Sequence, residues 1–212
     1  LHLGAAYHRP RIQGRDWKIH RLGGSYRLPL RVCEALRPLA ERLHDQHSQQ
    51  RADDLDTVLL ESRKAAVPGP RPIVLCGGPQ LADDLQSIFA TYRELIAAED
   101  GEPSVLLAEN DPITEPEVHR ACSLIRGHMR RDKGLEWPCV IFSNKAIIDT
   151  NTTLEEWVFT ALTRTTSLCV LVLWEDGDPA ISAVLTRLER DCLMFWDENA
   201  KNAFERLSAD RD

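Results

Sequence analysis

The chain has 212 residues, of which 43% are hydrophobic and 28% are charged, a composition typical of one globular domain or one domain with an appendage. It contains no run of about 18 apolar residues, so the sequence predicts no membrane span. The formal net charge of -7 argues against a general polyanion-binding surface, because phosphate affinity needs clustered cations. Any contact with nucleic acid must therefore be local.

The first residue is Leu rather than Met, and residues 1–15 show no apolar segment behind a basic start, so we expect no signal peptide. We expect the chain to begin inside a longer polypeptide, although a processed chain would look the same. The six cysteines stand singly in apolar segments without a C-x-x-C pair, which favours buried free thiols in a reducing cytosol over a metal site. The predicted location is cytoplasmic.

Residues 1–15 give no periodic signal and are interpreted as an irregular lead-in to one domain at 16–212. Apolar or alternating runs then predict strands at 17–22, 72–76, 104–108, 139–142, 168–174 and 193–196. Apolar residues at three- and four-residue spacing predict helices at 29–44, 55–66, 80–97, 115–125, 153–163, 180–192 and 201–207. Pro38 lies inside the first helix and should kink it. This alternation predicts an α/β fold with a mainly parallel sheet covered on both faces.

The stretch 126–142 combines three kinds of chemistry. It opens with four cations: Arg126, Arg130, Arg131 and Lys133. Gly134 follows, which can adopt backbone conformations that other residues resist, and then Glu136 and Trp137 lead into the apolar strand at 139–142. We expect these charges on a loop at the mouth of the sheet, where α/β proteins usually place ligands. A solvated loop explains the cations equally well.

Three short segments stand at junctions between predicted strands and helices: 24–29 (GSYRLP), 133–137 (KGLEW) and 161–165 (ALTRT). They present two isolated arginines, an aromatic residue and a carboxylate: Arg27, Arg164, Tyr26 and Glu136. This set suits a nucleotide, because arginine binds phosphate oxygens, an aromatic face stacks on a base and a carboxylate accepts from ribose hydroxyls. The bland alternative is that the arginines are ordinary ion-paired residues and that Tyr26 and Trp137 serve packing.

In this order the three segments resemble motifs IV, V and VI of superfamily 1 helicases of the UvrD/Rep type. Those motifs centre on N-Y-R, on K-G-L-E-[FW] and on A-[LI]-T-R. The resemblance covers about 17–174 and implies the C-terminal, second RecA-like domain of an ATP-dependent DNA helicase or translocase. Its implied fold is the three-layer, P-loop NTPase-type α/β domain without the Walker A half.

The resemblance also implies roles for individual residues. Tyr26 would stack near the adenine, Arg27 would reach the γ-phosphate and Arg164 would be the arginine finger. Glu136 would hold the ribose, and Gly134 would let the backbone pass close to the nucleotide. The implied contacts with single-stranded DNA, with RNA as an alternative, come from three residues: Arg130, Arg131 and Lys133. The implied cofactor is ATP, whose Mg2+ would be bound mainly by the N-terminal RecA-like domain of the same polypeptide.

The chain departs from the family pattern at several positions. Ser25 stands where the family has Asn, Arg130 where it commonly has His, and the pair Glu155 and Glu156 lies about two residues nearer to the A-L-T-R segment. The spacing leaves no room for a large inserted 2B subdomain. No G-x-x-x-x-G-K-[ST] sequence occurs, so these residues alone cannot complete ATP hydrolysis. A second hypothesis is therefore a helicase-derived module that no longer hydrolyses ATP and binds protein or nucleic acid.

Overall fold

In the part of the chain that the structure describes, the sheet contains six strands, and each runs parallel to its neighbours. The computed structural model describes residues 28–50, 68–97, 104–108, 113, 123–127, 136–147 and 153–209. The strands are β1 Ile73–Cys76, β2 Ser104–Ala108, β3 Ser123–Gly127, β4 Trp137–Ser143, β5 Thr165–Leu173 and β6 Met194–Phe195. Their spatial order is β3-β2-β4-β5-β1-β6, so β4 and β5 occupy the centre.

Helices cover both faces of this sheet. They are α1 Leu30–Gln50, α2 Leu81–Thr91, α3 Arg93–Ile96, α4 Leu154–Leu162, α5 Pro179–Leu185 and α6 Glu198–Ala209, with a 3-10 turn at Arg190–Cys192. One buried cluster joins α1, α4, α5 and α6 to one face, and a second joins α2 and α3 to the other. The predicted α/β fold class is confirmed, and the three-layer arrangement is consistent with a RecA-like domain. None of the helices in the described ranges has the length and apolarity needed to cross a bilayer.

Strand β5 shows why the core was readable from the sequence. Successive side chains of a strand point to opposite faces, and here Leu171 enters the first cluster while Val170 and Val172 enter the second. Both faces are covered, so the strand is apolar without alternation. Complete burial of each such side chain contributes about 1.5–3 kcal/mol relative to exposure.

The predicted helix at 115–125 is wrong at its end. Ser123–Gly127 forms β3, which pairs in parallel with β2 from Ser123 opposite Ser104 to Gly127 opposite Ala108. An available strand partner decides the conformation of such a short segment more strongly than its local periodicity does. The rest of that predicted helix, the predicted strand at 17–22 and the predicted helix at 55–66 lie outside the described residues.

Three other helices differ from their predicted bounds. The segment predicted as one helix at 80–97 is divided at Tyr92, whose φ of -106° and ψ of 18° are not helical. The helix predicted at 180–192 stops at Leu185, and shortly after it the Glu189 N–H donates to the Ala35 carbonyl of α1 at 2.9 Å. This bond joins the segment after α5 to α1. By contrast, α1 runs through Pro38 to Gln50, beyond its predicted end.

Asn144 joins three elements at the carboxyl edge of the sheet. It is fully buried, and its Nδ2 donates to the Trp174 carbonyl and to Ser182 Oγ, each at 2.9 Å. Its Oδ1 accepts from the Trp174 N–H at 2.8 Å, and its backbone carbonyl accepts from the Asp178 N–H at 2.8 Å. The side chain thus ties the end of β4 to the end of β5 and to the start of α5.

We expect Asn144→Ala to lower the free energy of unfolding by about 2–4 kcal/mol, because it leaves buried polar groups without partners. Urea denaturation followed by far-UV circular dichroism measures this cost. The exposed Asn199, whose amide makes a 3.4 Å bond to Asp197, supplies the control Asn199→Ala. Equal stability of the two variants would contradict the role of Asn144 as a clamp.

The cysteines described by the structure are free thiols. Cys33, Cys139 and Cys169 are buried, as predicted, whereas Cys76 and Cys192 are half-buried. Burial raises the pKa of Cys169 to about 12 and that of Cys33 to about 11, because the thiolate loses its hydration. These two thiols therefore stay protonated at neutral pH.

Cys33 and Cys169 should resist alkylation by iodoacetamide at pH 8 in the folded protein, whereas the half-buried Cys76 and Cys192 should react first. The reacting species is the thiolate, which is scarce and inaccessible at the buried positions. Peptide mass spectrometry with and without urea measures the order. Rapid modification of Cys169 before unfolding would show that its strand is not buried as described.

Candidate functional site

Two of the sequence segments meet at the amino edge of the sheet, where β4 and β5 begin. Trp137 and Thr165 are the first residues of these strands and stand opposite each other in the parallel pairing. The Trp137 N–H also donates to the Arg164 carbonyl at 3.0 Å. Glu136 and Arg164, which are 28 positions apart (164 - 136) in the chain, therefore lie on adjacent segments at this edge.

For Glu136, this position corrects the expectation that the charged stretch lies where α/β proteins usually place ligands. That usual place is outside the carboxyl ends of the strands, whereas Glu136 precedes β4 and lies at the amino end. Arg126 lies near the carboxyl end of β3, and Arg130, Arg131 and Lys133 are outside the described residues. The order along the chain agrees with this position, since Glu136 leads directly into the predicted strand at 139–142 and a residue before a strand lies at its amino end.

Arg164 is held by its backbone in the turn between α4 and β5. α4 ends at Leu162, Thr163 is the C-cap residue, and the Arg164 N–H donates to the Ala161 carbonyl at 3.1 Å. Only 7% of Arg164 is exposed. The backbone of Arg164 is thus fixed at the amino edge. Its guanidinium can contact a ligand only where the residues around this turn leave it accessible.

Trp137 is a core residue. It is 7% exposed and packs with Leu106 and Val140 in a small buried cluster of its own. Its indole is therefore not a face on which a base can stack. The alternative interpretation, that Trp137 serves packing, is correct. Its neighbour Glu136 is exposed, which leaves a carboxylate at the rim of the edge.

The beginning of α1 lies near the same amino edge of the sheet. The Arg31 N–H donates to the Pro68 carbonyl at 3.1 Å, and Pro68 precedes the amino end of β1 by five positions (73 - 68). Gly69, with φ of 64°, passes so close to Pro29 that an added Cβ would lie 2.4 Å from the proline Cβ. This contact holds Pro29, and with it the start of α1, near the amino edge.

Six of the predicted site residues lie outside the described residues: Tyr26, Arg27, Arg130, Arg131, Lys133 and Gly134. Their roles stay predictions. Leu28, which directly follows Arg27 in the chain, is buried in the cluster formed by α1, α4, α5 and α6. The described part of the site therefore consists of Glu136, Arg164 and the backbone that joins them.

The acidic pair in α4 has structural roles. Glu156 forms a capping box with Thr153, in which the Glu156 N–H donates to Thr153 Oγ1 and the Thr153 N–H donates to Glu156 Oε2. Glu155 Oε1 accepts from Arg187 at 3.0 Å and from Arg42 at 3.5 Å. Glu156 therefore caps the amino end of α4, and Glu155 anchors the helix to its surroundings.

A cavity of about 290 Å³ opens at the other edge, beside the carboxyl ends of β1, β5 and β6. The turn at Gly77 and Gly78 forms part of its wall. Burial, followed by the carboxylates of Glu175 and Asp197, raises the pKa of the Cys76 thiol at this wall. Within the described ranges, no three His, Cys, Asp or Glu side chains are placed to hold a metal ion.

Comparisons with known proteins give little further constraint. No family model and no curated protein matches the chain. Among solved structures, the chain is similar to the C-terminal domain of a possible DNA helicase from Lactobacillus plantarum WCFS1. The identity is 14%, the match covers 82% of this chain and 100% of that one, and the TM-score is 0.48.

Trp137→Ala should lower the free energy of unfolding by about 3–5 kcal/mol, because it empties a buried indole site, whereas Trp137→Phe should cost clearly less. Urea denaturation measures both. Leu95→Ala is the control, since Leu95 is 47% exposed. A cost below about 1 kcal/mol for Trp137→Ala would identify the indole as a surface residue instead.

Proposed function

We propose that this chain is the C-terminal RecA-like domain of an ATP-dependent, superfamily 1-type DNA helicase or translocase. The observation that carries the proposal is the 3.0 Å bond from the Trp137 N–H to the Arg164 carbonyl, with Trp137 and Thr165 paired across β4 and β5. It joins the K-G-L-E-W segment to the A-L-T-R segment, which the helicase resemblance requires to serve one nucleotide. Sequence and geometry therefore support the same pair of segments.

In this function Arg164 acts as the arginine finger. Phosphoryl transfer spreads negative charge over the equatorial oxygens of the γ-phosphate, and a guanidinium held in a dry cleft stabilises that charge by several kcal/mol. The hydrogen bonds made by the Arg164 N–H and carbonyl fix the base of the side chain. Glu136, exposed beside it, accepts hydrogen bonds from ribose hydroxyls.

The remaining parts of the nucleotide site come from elsewhere. The chain has no Walker A sequence, so the phosphates and Mg2+ are held by a second RecA-like domain that docks on the amino edge. Arg27 contributes a second cation and Tyr26 an aromatic face. The loop with Arg130, Arg131 and Lys133 contacts single-stranded DNA, which suits a protein whose net charge of -7 confines nucleic acid to a local patch.

A second candidate is a helicase-derived domain that binds a partner without hydrolysing ATP. The 7% exposure of Arg164 favours it, because an arginine held within its own chain is less available to a γ-phosphate. The structural use of Glu155 and Glu156 favours it as well. The two candidates differ in whether the chain supports ATP turnover when a domain with a Walker A loop is supplied.

The test of the proposal is ATP hydrolysis by a polypeptide that joins this chain to a Walker A domain, with and without single-stranded DNA. We expect DNA-stimulated turnover, and we expect Arg164→Ala to reduce kcat by about 10³–10⁵, the usual effect of losing an arginine finger. Arg164→Lys keeps the charge but loses the planar fork, and should also be strongly impaired. A phosphate-release assay measures all three proteins.

The matched control is Arg206→Ala, an exposed arginine paired with Glu175 at the carboxyl edge. It should turn over ATP like the unmodified chain. Thermal unfolding shows whether each variant is folded. Normal turnover by folded Arg164→Lys and Arg164→Ala would exclude the finger, and no turnover by the unmodified pair of domains would favour the second candidate.

A further inference from the structure

A bulge in β5 lies directly beside Arg164. Trp137 stands opposite Thr165 and Cys139 opposite Leu168, so one residue of β4, Pro138, faces two residues of β5. Proline has no N–H to give to the ladder, and a bulge is one of the few arrangements that tolerate it between two neighbouring strands. The irregularity is therefore built into the sequence at the start of β4.

Two threonine hydroxyls hold this bulge. Thr165 is fully buried, and its Oγ1 donates to the Leu168 carbonyl at 2.7 Å and accepts from the Ser167 N–H at 3.3 Å. These bonds join Thr165, at one side of the bulge, to Ser167 and Leu168 at the other. The Thr166 Oγ1 crosses to the other strand and donates to the Trp137 carbonyl at 3.3 Å.

The same two strand ends carry the candidate site. The Trp137 N–H donates to the Arg164 carbonyl, and the Trp137 carbonyl accepts from Thr166 Oγ1. Both backbone groups of Trp137 are therefore bonded to the Arg164–Thr166 segment. A shift of either threonine would move the base of Arg164 relative to the Glu136 segment. Misplacement of a catalytic group by about 1 Å can reduce the rate about a hundredfold.

We infer that Thr165 and Thr166 are positioning residues, whose hydroxyls hold Arg164 and the Glu136–Trp137 segment in one fixed arrangement for nucleotide turnover. This inference rests on the proposed function. It goes beyond the helicase resemblance, because the quoted motifs end at the arginine and give no role to the residues that follow. Neither threonine touches the nucleotide in this role; both act through the backbone of Arg164 and Trp137.

The experiment replaces Thr165 by Val, which keeps the shape and removes the hydroxyl, and by Ser, which keeps the hydroxyl. In the polypeptide with a Walker A domain, we expect Thr165→Val to reduce kcat about tenfold to a hundredfold. The KM for ATP should stay within about twofold, since the ground-state contacts are unchanged. Thr165→Ser should restore kcat. Thr166→Val, at a half-buried position that tolerates change better, should reduce kcat in the same direction.

Thr186→Val is the matched control. Thr186 is 5% exposed and its Oγ1 donates to the Ser182 carbonyl at 3.0 Å, so the substitution removes a comparable hydroxyl bond just after α5. It should lower the melting temperature without changing kcat. Hydrogen exchange of the Trp137 amide in this chain gives a second readout, because loosening of the bulge should speed exchange of that amide in Thr165→Val but not in Thr186→Val.

The outcomes separate the two proposals. If Arg164→Ala abolishes turnover while Thr165→Val and Thr166→Val keep the normal kcat, the threonines are not positioning residues and the finger stands. If serine at 165 fails to restore kcat, the methyl group rather than the hydroxyl matters and the inference falls. If Arg164→Ala retains turnover, the finger role falls, and with it the inference that the threonines position Arg164; if the unmodified pair of domains shows no turnover, the proposed function itself falls.

Discussion

The parallel pairing of β4 with β5 is the constraint on which the rest of the molecule depends. These two central strands bury both of their faces, and their register sets which residues meet at each edge. At the amino edge the register brings the segment before Trp137 against the segment before Thr165. At the carboxyl edge the same register lets Asn144 span the ends of both strands. A slip in this register would rearrange both edges, and burial of the two strands opposes it.

Helix α4 also fixes the position of Arg164. Its amino end is closed by the Thr153 and Glu156 capping box, and Glu155 ties its first turn to Arg42 of α1 and to Arg187. Its other end passes into the turn that carries Arg164. Both ends of α4 and its buried face are held in place. The position of Arg164 therefore depends on all the helices that pack on this face of the sheet. Glu155 and Glu156, whose spacing departs from the helicase pattern, thus support the arginine indirectly.

The two edges of the sheet offer different chemistry about 20–30 Å apart, the length of its central strands. The amino edge presents an exposed carboxylate beside an arginine whose backbone is fixed. The carboxyl edge holds a cavity whose charged lining residues have partners within the chain: Arg206 pairs with Glu175, and Asp84 accepts from Trp196 Nε1. The proposed nucleotide site is therefore assigned to the amino edge, where the sequence motifs and the strand pairing coincide.

The sequence by itself determined the layers of the fold and most of the strands. Strands β1, β2, β4 and β5 were predictable because strands buried on both faces must be apolar throughout. The K-G-L-E-W and A-L-T-R segments were likewise visible, since they precede such strands directly. β3 was not predictable, because Ser123–Gly127 becomes a strand only through its pairing with β2. The tertiary structure alone decided that Glu136 and Arg164 lie on adjacent strand ends and that Arg164 and Trp137 are buried. Each of these follows from strand pairing and packing across the chain, which local sequence does not encode.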